Sequence, residues 1–204
     1  MDSKAISSAR VVAIWIAFAT AIGVPIIAAA VSPLIAWREP IYIMAGFAGV
    51  VALALLLVQP MLIGGYLPGI SVHGRRRVHR VVGGALVAAI AVHVVGLWIT
   101  SPPDVIDALL FVAPTPFSVW GVIAMWAVFA VAVLAAFRKR LRLRLRTWRT
   151  GHKVLAVVIV VGSVVHSVLI IGTMETVSKA ILCGLVVIAT IKVLVDTRMP
   201  APPT

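Results

Sequence analysis

HRVVGGALVAAIAVH at residues 79–93 and HKVLAVVIVVGSVVH at residues 152–166 decide how the chain is read. Each stretch begins and ends on histidine, with the imidazoles fourteen positions apart and an almost wholly apolar run between them. Fourteen steps of about 100° end roughly 40° short of whole turns, so His79 and His93 share a helix face, as do His152 and His166. At about 1.5 Å per residue, the members of a pair stand about 21 Å apart along the axis. Two such helices side by side offer imidazoles at two levels. That arrangement suits two haems, each gripped from both sides and stacked across a bilayer.

Composition sets the class around these helices. Hydrophobic residues make up 62% of the 204 and charged residues 12%, and the mean hydropathy is +1.15. A soluble domain needs more charge to cover its surface. Apolar stretches of about 18 residues or more recur, each long enough to cross a hydrocarbon core of about 30 Å. The expected fold is all-α: one integral membrane bundle of six transmembrane helices over residues 1–204, with the lipid bilayer as its surroundings. The spans fall at roughly 10–31, 41–64, 78–100, 117–137, 152–172 and 177–196. Ser32-Pro33 and Arg38-Glu39-Pro40 separate the first two. Pro60, Gly64-Gly65 and Pro68-Gly69 close the second, and Pro102-Pro103 with Pro114 and Pro116 bracket the third connection. Asp107 to Val112 reads as a short interfacial turn, and Pro25 as a kink in the first span. That first span is too long for a cleavable signal peptide.

The net charge of +12 does not point to nucleic acid, because the bases sit in short connections between apolar runs. Arg75, Arg76, Arg77 and Arg80 form one cluster, and the eight bases from Arg138 to Lys153 form another. With both termini in the cytoplasm, inner segments collect sixteen of the 18 Lys and Arg, and the outer loops hold only Arg38 and Lys179. The expected location is a bacterial inner membrane with both termini inside. Trp37, Trp98 and Trp120 then fall near the outer boundary and Trp148 near the inner one, as interfacial anchors. In this orientation His79 and His152 form an inner level, His93 and His166 an outer one.

A histidine in a membrane helix can be a hydrogen-bonded packing residue, and His79 and His152, next to Arg80 and Lys153, can be read as facing headgroups. Ionisable groups as deep as His93 and His166 are rare and usually functional. A transition-metal pathway is the alternative, since imidazole binds zinc, copper and iron. Cation and proton carriers usually add carboxylates within the membrane. Here Asp2, Glu39, Asp104, Asp107, Glu175 and Asp196 all fall at span ends or in connections. Gly83, Gly96 and Gly162 lie on or near the histidine faces, where a flat macrocycle needs close backbone approach; helix packing uses small residues equally.

Other residues carry less. Cys183, the single cysteine, reads as a small packing residue, and without CxxCH there is no covalent haem attachment. His73 reads as solvent-facing, and Trp126 is a candidate to sit between haems, with ordinary packing the plainer reading. Arg80, Arg149 and Lys153 are candidates to neutralise inner propionates, as Arg38 and Lys179 are for outer ones; snorkelling to lipid phosphate also accounts for the inner set.

At His-Arg-Val-Val-Gly-Gly (79–84) with His93, and Trp-Arg-Thr-Gly-His (148–152) with His166, the chain resembles the ferric reductase-like transmembrane domain family. That group includes ferric reductases, the membrane part of NADPH oxidases and the haem subunit of methionine sulfoxide reductase. The resemblance implies two bis-histidine b-type haems, His79 with His152 and His93 with His166, carrying electrons from a cytoplasmic donor to an outer-face acceptor. The sequence ends at Thr204 and contains no GxGxxG unit. The expected donor is therefore a separate flavoprotein reductase, carrying the flavin, or a quinol. The expected acceptor is ferric iron, oxygen or a periplasmic redox partner. The rivals are a quinol- or ascorbate-linked cytochrome b of another family and a divalent-metal permease.

Overall fold

A computed structural model describes residues 8–138, 140–142 and 144–196. Asp2, Lys4, Lys139 and Arg198, which entered the charge count, lie outside the described residues. Among those described there are seven α-helices, one 3-10 turn at Pro33–Ile35 and no strand. The helices are α1 (Ser8–Ala30), α2 (Pro40–Ile63), α3 (Val72–Thr100), α4 (Pro102–Leu109), α5 (Pro116–Phe137), α6 (Leu145–Leu169) and α7 (Thr176–Asp196). All but α4 are long and apolar enough to cross a membrane.

Local chemistry sets the boundaries. Proline opens α2, α4 and α5, where its missing N–H costs nothing and its φ is already helical. The Ser71 hydroxyl caps α3 by accepting from the Gly74 N–H at 3.1 Å. With that cap, α3 begins six residues before the expected start and takes the Arg75–Arg77 cluster and the exposed His73 into its first turns. Likewise α6 starts at Leu145 rather than 152, and ends at Leu169 rather than 172. Apolar runs report where lipid begins; a helix goes on into headgroups and water as far as its caps allow. The expected turn at 107–112 is replaced by α4, which ends at Leu109. Both α1 and α2 run through their prolines, Pro25 and Pro60.

Two antiparallel hairpins form the body. In the first, α2 packs on α3, with Ala45 facing Gly96 and Gly49 facing His93. In the second, α5 packs on α6, with Ala124 facing Gly162 and Leu134 facing Gly151. Small residues allow these close approaches, the main source of helix affinity where lipid is as apolar as the side chains. Helix α7 packs against α2 and α6, and α1 lies outside against α2 and α7. Val50, Leu53, Leu57, Val128, Ile159, Leu182, Val186 and the free Cys183 fill the centre. By contrast α3 and α6 are not among the closely packed pairs. The space between them receives the imidazoles.

Candidate functional site

The four histidines named from the sequence meet in pairs across that space. At the level near the basic clusters, the ring centroids of His79 and His152 lie 6.1 Å apart. At the other level, those of His93 and His166 lie 6.5 Å apart. Helices α3 and α6 are therefore parallel, and the common fourteen-residue spacing keeps both levels in register.

The His93–His166 level is held by backbone. His93 Nδ1 donates to the Ala45 carbonyl at 2.7 Å, and His166 Nδ1 to the Phe117 carbonyl at 2.9 Å. A carbonyl oxygen only accepts, so each Nδ1 carries the proton and each Nε2 keeps its lone pair. That is the tautomer and orientation a metal-binding histidine needs. The two contacts share one local design. In an α-helix the carbonyl of residue i is screened by the side chain at i+4. Here those i+4 positions, Gly49 and Gly121, are glycine. A Cβ at Gly49 would lie 3.0 Å from His93 Nδ1, and one at Gly121 2.7 Å from His166 Nδ1. Both glycines sit on the partner helix of each hairpin.

The glycines named from the sequence are placed differently. A Cβ on Gly83 would meet the Gln59 side chain at 3.3 Å. One on Gly96 would lie 2.7 Å from the Ala45 Cβ, and one on Gly162 would lie 2.9 Å from the Trp120 carbonyl oxygen. Gly96 and Gly162 therefore stand where helices α2 and α3, and α5 and α6, pack closest. Gly49 and Gly121, which the sequence reading passed over, are the ones against the imidazoles.

The His79–His152 level is built another way. Neither ring's Nδ1 makes a hydrogen bond of ordinary geometry, although the Gln59 backbone lies close enough to act on His79, and Gln59 Oε1 and Trp148 Nε1 are likewise buried and unpaired. The Trp148 indole stacks on the His152 ring, 5.3 Å between centroids and 23° between planes. The Arg138 guanidinium lies 4.7 Å from the centre of that indole. Trp148, expected as a lipid anchor, instead covers an imidazole. It projects from the first turn of α6, one helical turn before His152, and so lands on that ring. Arg80 is exposed. Arg149 and Lys153 line a groove of about 330 Å³ with Leu145, Arg146 and Thr150.

His93 and His166 face a cavity of about 440 Å³, within the roughly 300–1,000 Å³ typical of cofactor sites. Its polar rim includes Asp104 and Asp107 from α4, Thr173, and Lys179 from α7. Trp126 is 56% exposed and turned outward beside Phe129, which removes it from the space between the levels. Trp37, Trp98 and Trp120 are exposed at the end of the bundle that carries His93. At the opposite end, the Tyr66 hydroxyl donates to Asp196 at 2.6 Å, and Lys192 pairs with the same carboxylate at 3.1 Å. This clamp ties the α2–α3 connection to the end of α7.

The family model described as ferric reductase like transmembrane component matches residues 45–163, more than half of the chain. The match takes in three of the four histidines and both Gly49 and Gly121, and stops just before His166. No curated protein and no solved structure matches the chain.

Proposed function

The chain belongs to the ferric reductase-like transmembrane family, and on that premise we propose that it is a di-haem b-type cytochrome passing electrons through the membrane. Membership supports a membrane redox role; the haem count, the ligands and the direction are our reading. His79 with His152 would hold one haem and His93 with His166 the other. The observation that carries this is the separation within each pair. One metal bonded to two imidazoles at about 2.0–2.1 Å, with about 1.1 Å from each nitrogen to its ring centre, sets the centroids about 6.3 Å apart. The observed 6.1 and 6.5 Å bracket that value. A bare divalent ion is served less well. Among the described residues no three His, Cys, Asp or Glu side chains gather as ligands, whereas protein zinc sites ordinarily supply at least three.

Haem held by these histidines would supply reversible one-electron chemistry. The chain's residues do the rest. The Ala45 and Phe117 carbonyls fix the tautomer of His93 and His166, and Gly49 and Gly121 make room for the rings. The Trp148 indole fixes the plane of His152. Leu53, Leu57, Val128 and Ile159 pack the interior between the levels and exclude water. The levels stand about 21 Å apart along α3 and α6, so one lies near each face of the bilayer. We place the basic end in the cytoplasm of a bacterium by the bias of Lys and Arg. The group held by His79 and His152 would then face the electron donor, a flavoprotein or a quinol. The group held by His93 and His166 would face the acceptor, whether ferric iron, oxygen or a periplasmic partner.

The test is a pyridine haemochrome assay with protein quantification on the purified chain. Two b-type haems per chain are expected, falling to one in His93→Ala or His166→Ala and to one in His79→Ala or His152→Ala. A chain that takes up no haem, or variants that keep both, would overturn the assignment.

A further inference from the structure

Lys179 is 7% exposed, and its Nζ makes one hydrogen bond, to the Ile170 carbonyl at 2.7 Å. An ammonium has three donors, so two are unspent. Among the described residues no carboxylate lies within 4.0 Å of it. Glu175, the nearest acid in sequence, spends its oxygens on the Val177 N–H at 2.6 Å and the Ser178 N–H, capping α7. Asp104 accepts from the Ser101 hydroxyl at 2.5 Å across the cavity rim. Glu175 acts on Lys179 only from beyond ion-pair distance, and a cation this enclosed is costly to hold without a closer counter-charge. It lines the same cavity as His93 and His166. Arg38, the other cation expected at this end, is exposed and lies 5.0 Å over the Tyr42 ring.

We propose that Lys179, among the described residues the one cation lining a cavity that Asp104 and Asp107 also border, pairs with a carboxylate of the macrocycle held between His93 and His166. This rests on the di-haem reading and adds to it the residue that sets which way the macrocycle faces at that level. Iron protoporphyrin carries both its carboxylates on one edge. A single buried ammonium lining the same cavity as the imidazoles therefore distinguishes that edge from the apolar one. Lys179 acts here as a binding and positioning residue.

The experiment compares iron protoporphyrin IX with its dimethyl ester, which keeps the ring and loses both charges. The full chain, produced without haem, is loaded with either compound, and transfer to apomyoglobin gives the release rate from each level. In the wild type the ester should leave one of the two levels about ten- to a hundredfold faster than the diacid, the range for a charge-assisted hydrogen bond. In Lys179→Met the diacid should leave as fast as the ester. Lys179→Gln gives a second neutral variant should the first not accumulate, Lys179→Arg should retain most of the preference, and Arg38→Gln should behave as wild type. A neutral variant that still prefers the diacid by the wild-type factor overturns the proposal, as does a wild type indifferent to esterification. A wild type that takes up neither compound overturns the di-haem reading first, and that result is visible before any variant is made.

Discussion

Replacing Gly121 by alanine should loosen one haem level and spare the other. The new Cβ would lie 2.7 Å from His166 Nδ1, 2.9 Å from Cε1 and 3.3 Å from Cγ. Ordinary contact needs about 3.5 Å, so the ring must retreat by about 0.8 Å. The Nδ1 bond to the Phe117 carbonyl, now 2.9 Å, then passes beyond hydrogen-bond range. Losing it costs about 0.5–1.5 kcal/mol, and crowding a packed interior costs about 1–3 kcal/mol. Alanine returns about 0.5–1 kcal/mol through its better helix propensity. The net is about 0.5–4 kcal/mol, or about 2- to 900-fold in affinity for the group that His93 and His166 hold.

Two further glycines calibrate the effect. Gly49→Ala puts its Cβ 3.0 Å from His93 Nδ1 and should give a smaller loss. A Cβ on Gly84, on α3, meets no atom within 4 Å, so Gly84→Ala should match wild type or exceed it in stability. The assay is haem count together with a potentiometric titration resolved into two components. One component should shrink or shift in the order Gly121, Gly49, Gly84, while the other stays fixed. Equal behaviour of Gly121→Ala and Gly84→Ala would refute the claim that the imidazole rests on the glycine.

The other level should answer to Trp148. Trp148→Ala removes the surface against which His152 is stacked and should broaden or move one of two low-spin ferric EPR signals, with Trp148→Phe restoring it; identical spectra in all three would count against a positioning role. Burial, with the hydrogen bond to and the charge of Asp196, pushes the Tyr66 phenol up to about 12. Because the folded value lies above the unfolded one, this clamp's stabilisation is complete below about pH 10 and is lost as pH rises toward 12. In Asp196→Asn the phenol should ionise at lower pH, read by absorbance at 295 nm against Tyr42, the other of the chain's 2 tyrosines. Trp126→Leu should leave haem count and potentials unchanged and move stability by less than about 0.5 kcal/mol, since that indole faces outward.

The spans and the shared faces were legible because both follow from periodicity within a single helix. Fourteen residues put His79 above His93 whatever lies alongside, and the same holds for His152 and His166. Helix ends were less legible. The hydropathy of 78–100 marks the lipid-facing part of α3, whereas Ser71, a cap seven residues earlier, starts the helix. Trp148 illustrates a different limit. Its place near a span end fits an anchor equally well, and only the position of the His152 ring one turn on makes it a stacking partner.

Gly49 and Gly121 mark where single-helix reasoning stops. The histidine faces carry Gly83, Gly96 and Gly162, of which Gly96 and Gly162 serve the packing of one helix on another. An imidazole that donates to a helix carbonyl must approach from outside that helix, so the space it needs is opened by a residue on the neighbour. The neighbours were knowable: α2 precedes α3 and α5 precedes α6, each joined as an antiparallel hairpin. The acceptor lies 48 residues before its histidine in the first hairpin and 49 in the second, a near-repeat that two hairpins of like build impose. Helix α5 contains one glycine and α2 contains two. Asking which glycine lies four residues after a carbonyl at the level of His93 or His166 leaves few answers. The signal was present in the chain, in the helix before each histidine helix, and it takes the pairing of helices to turn it into geometry.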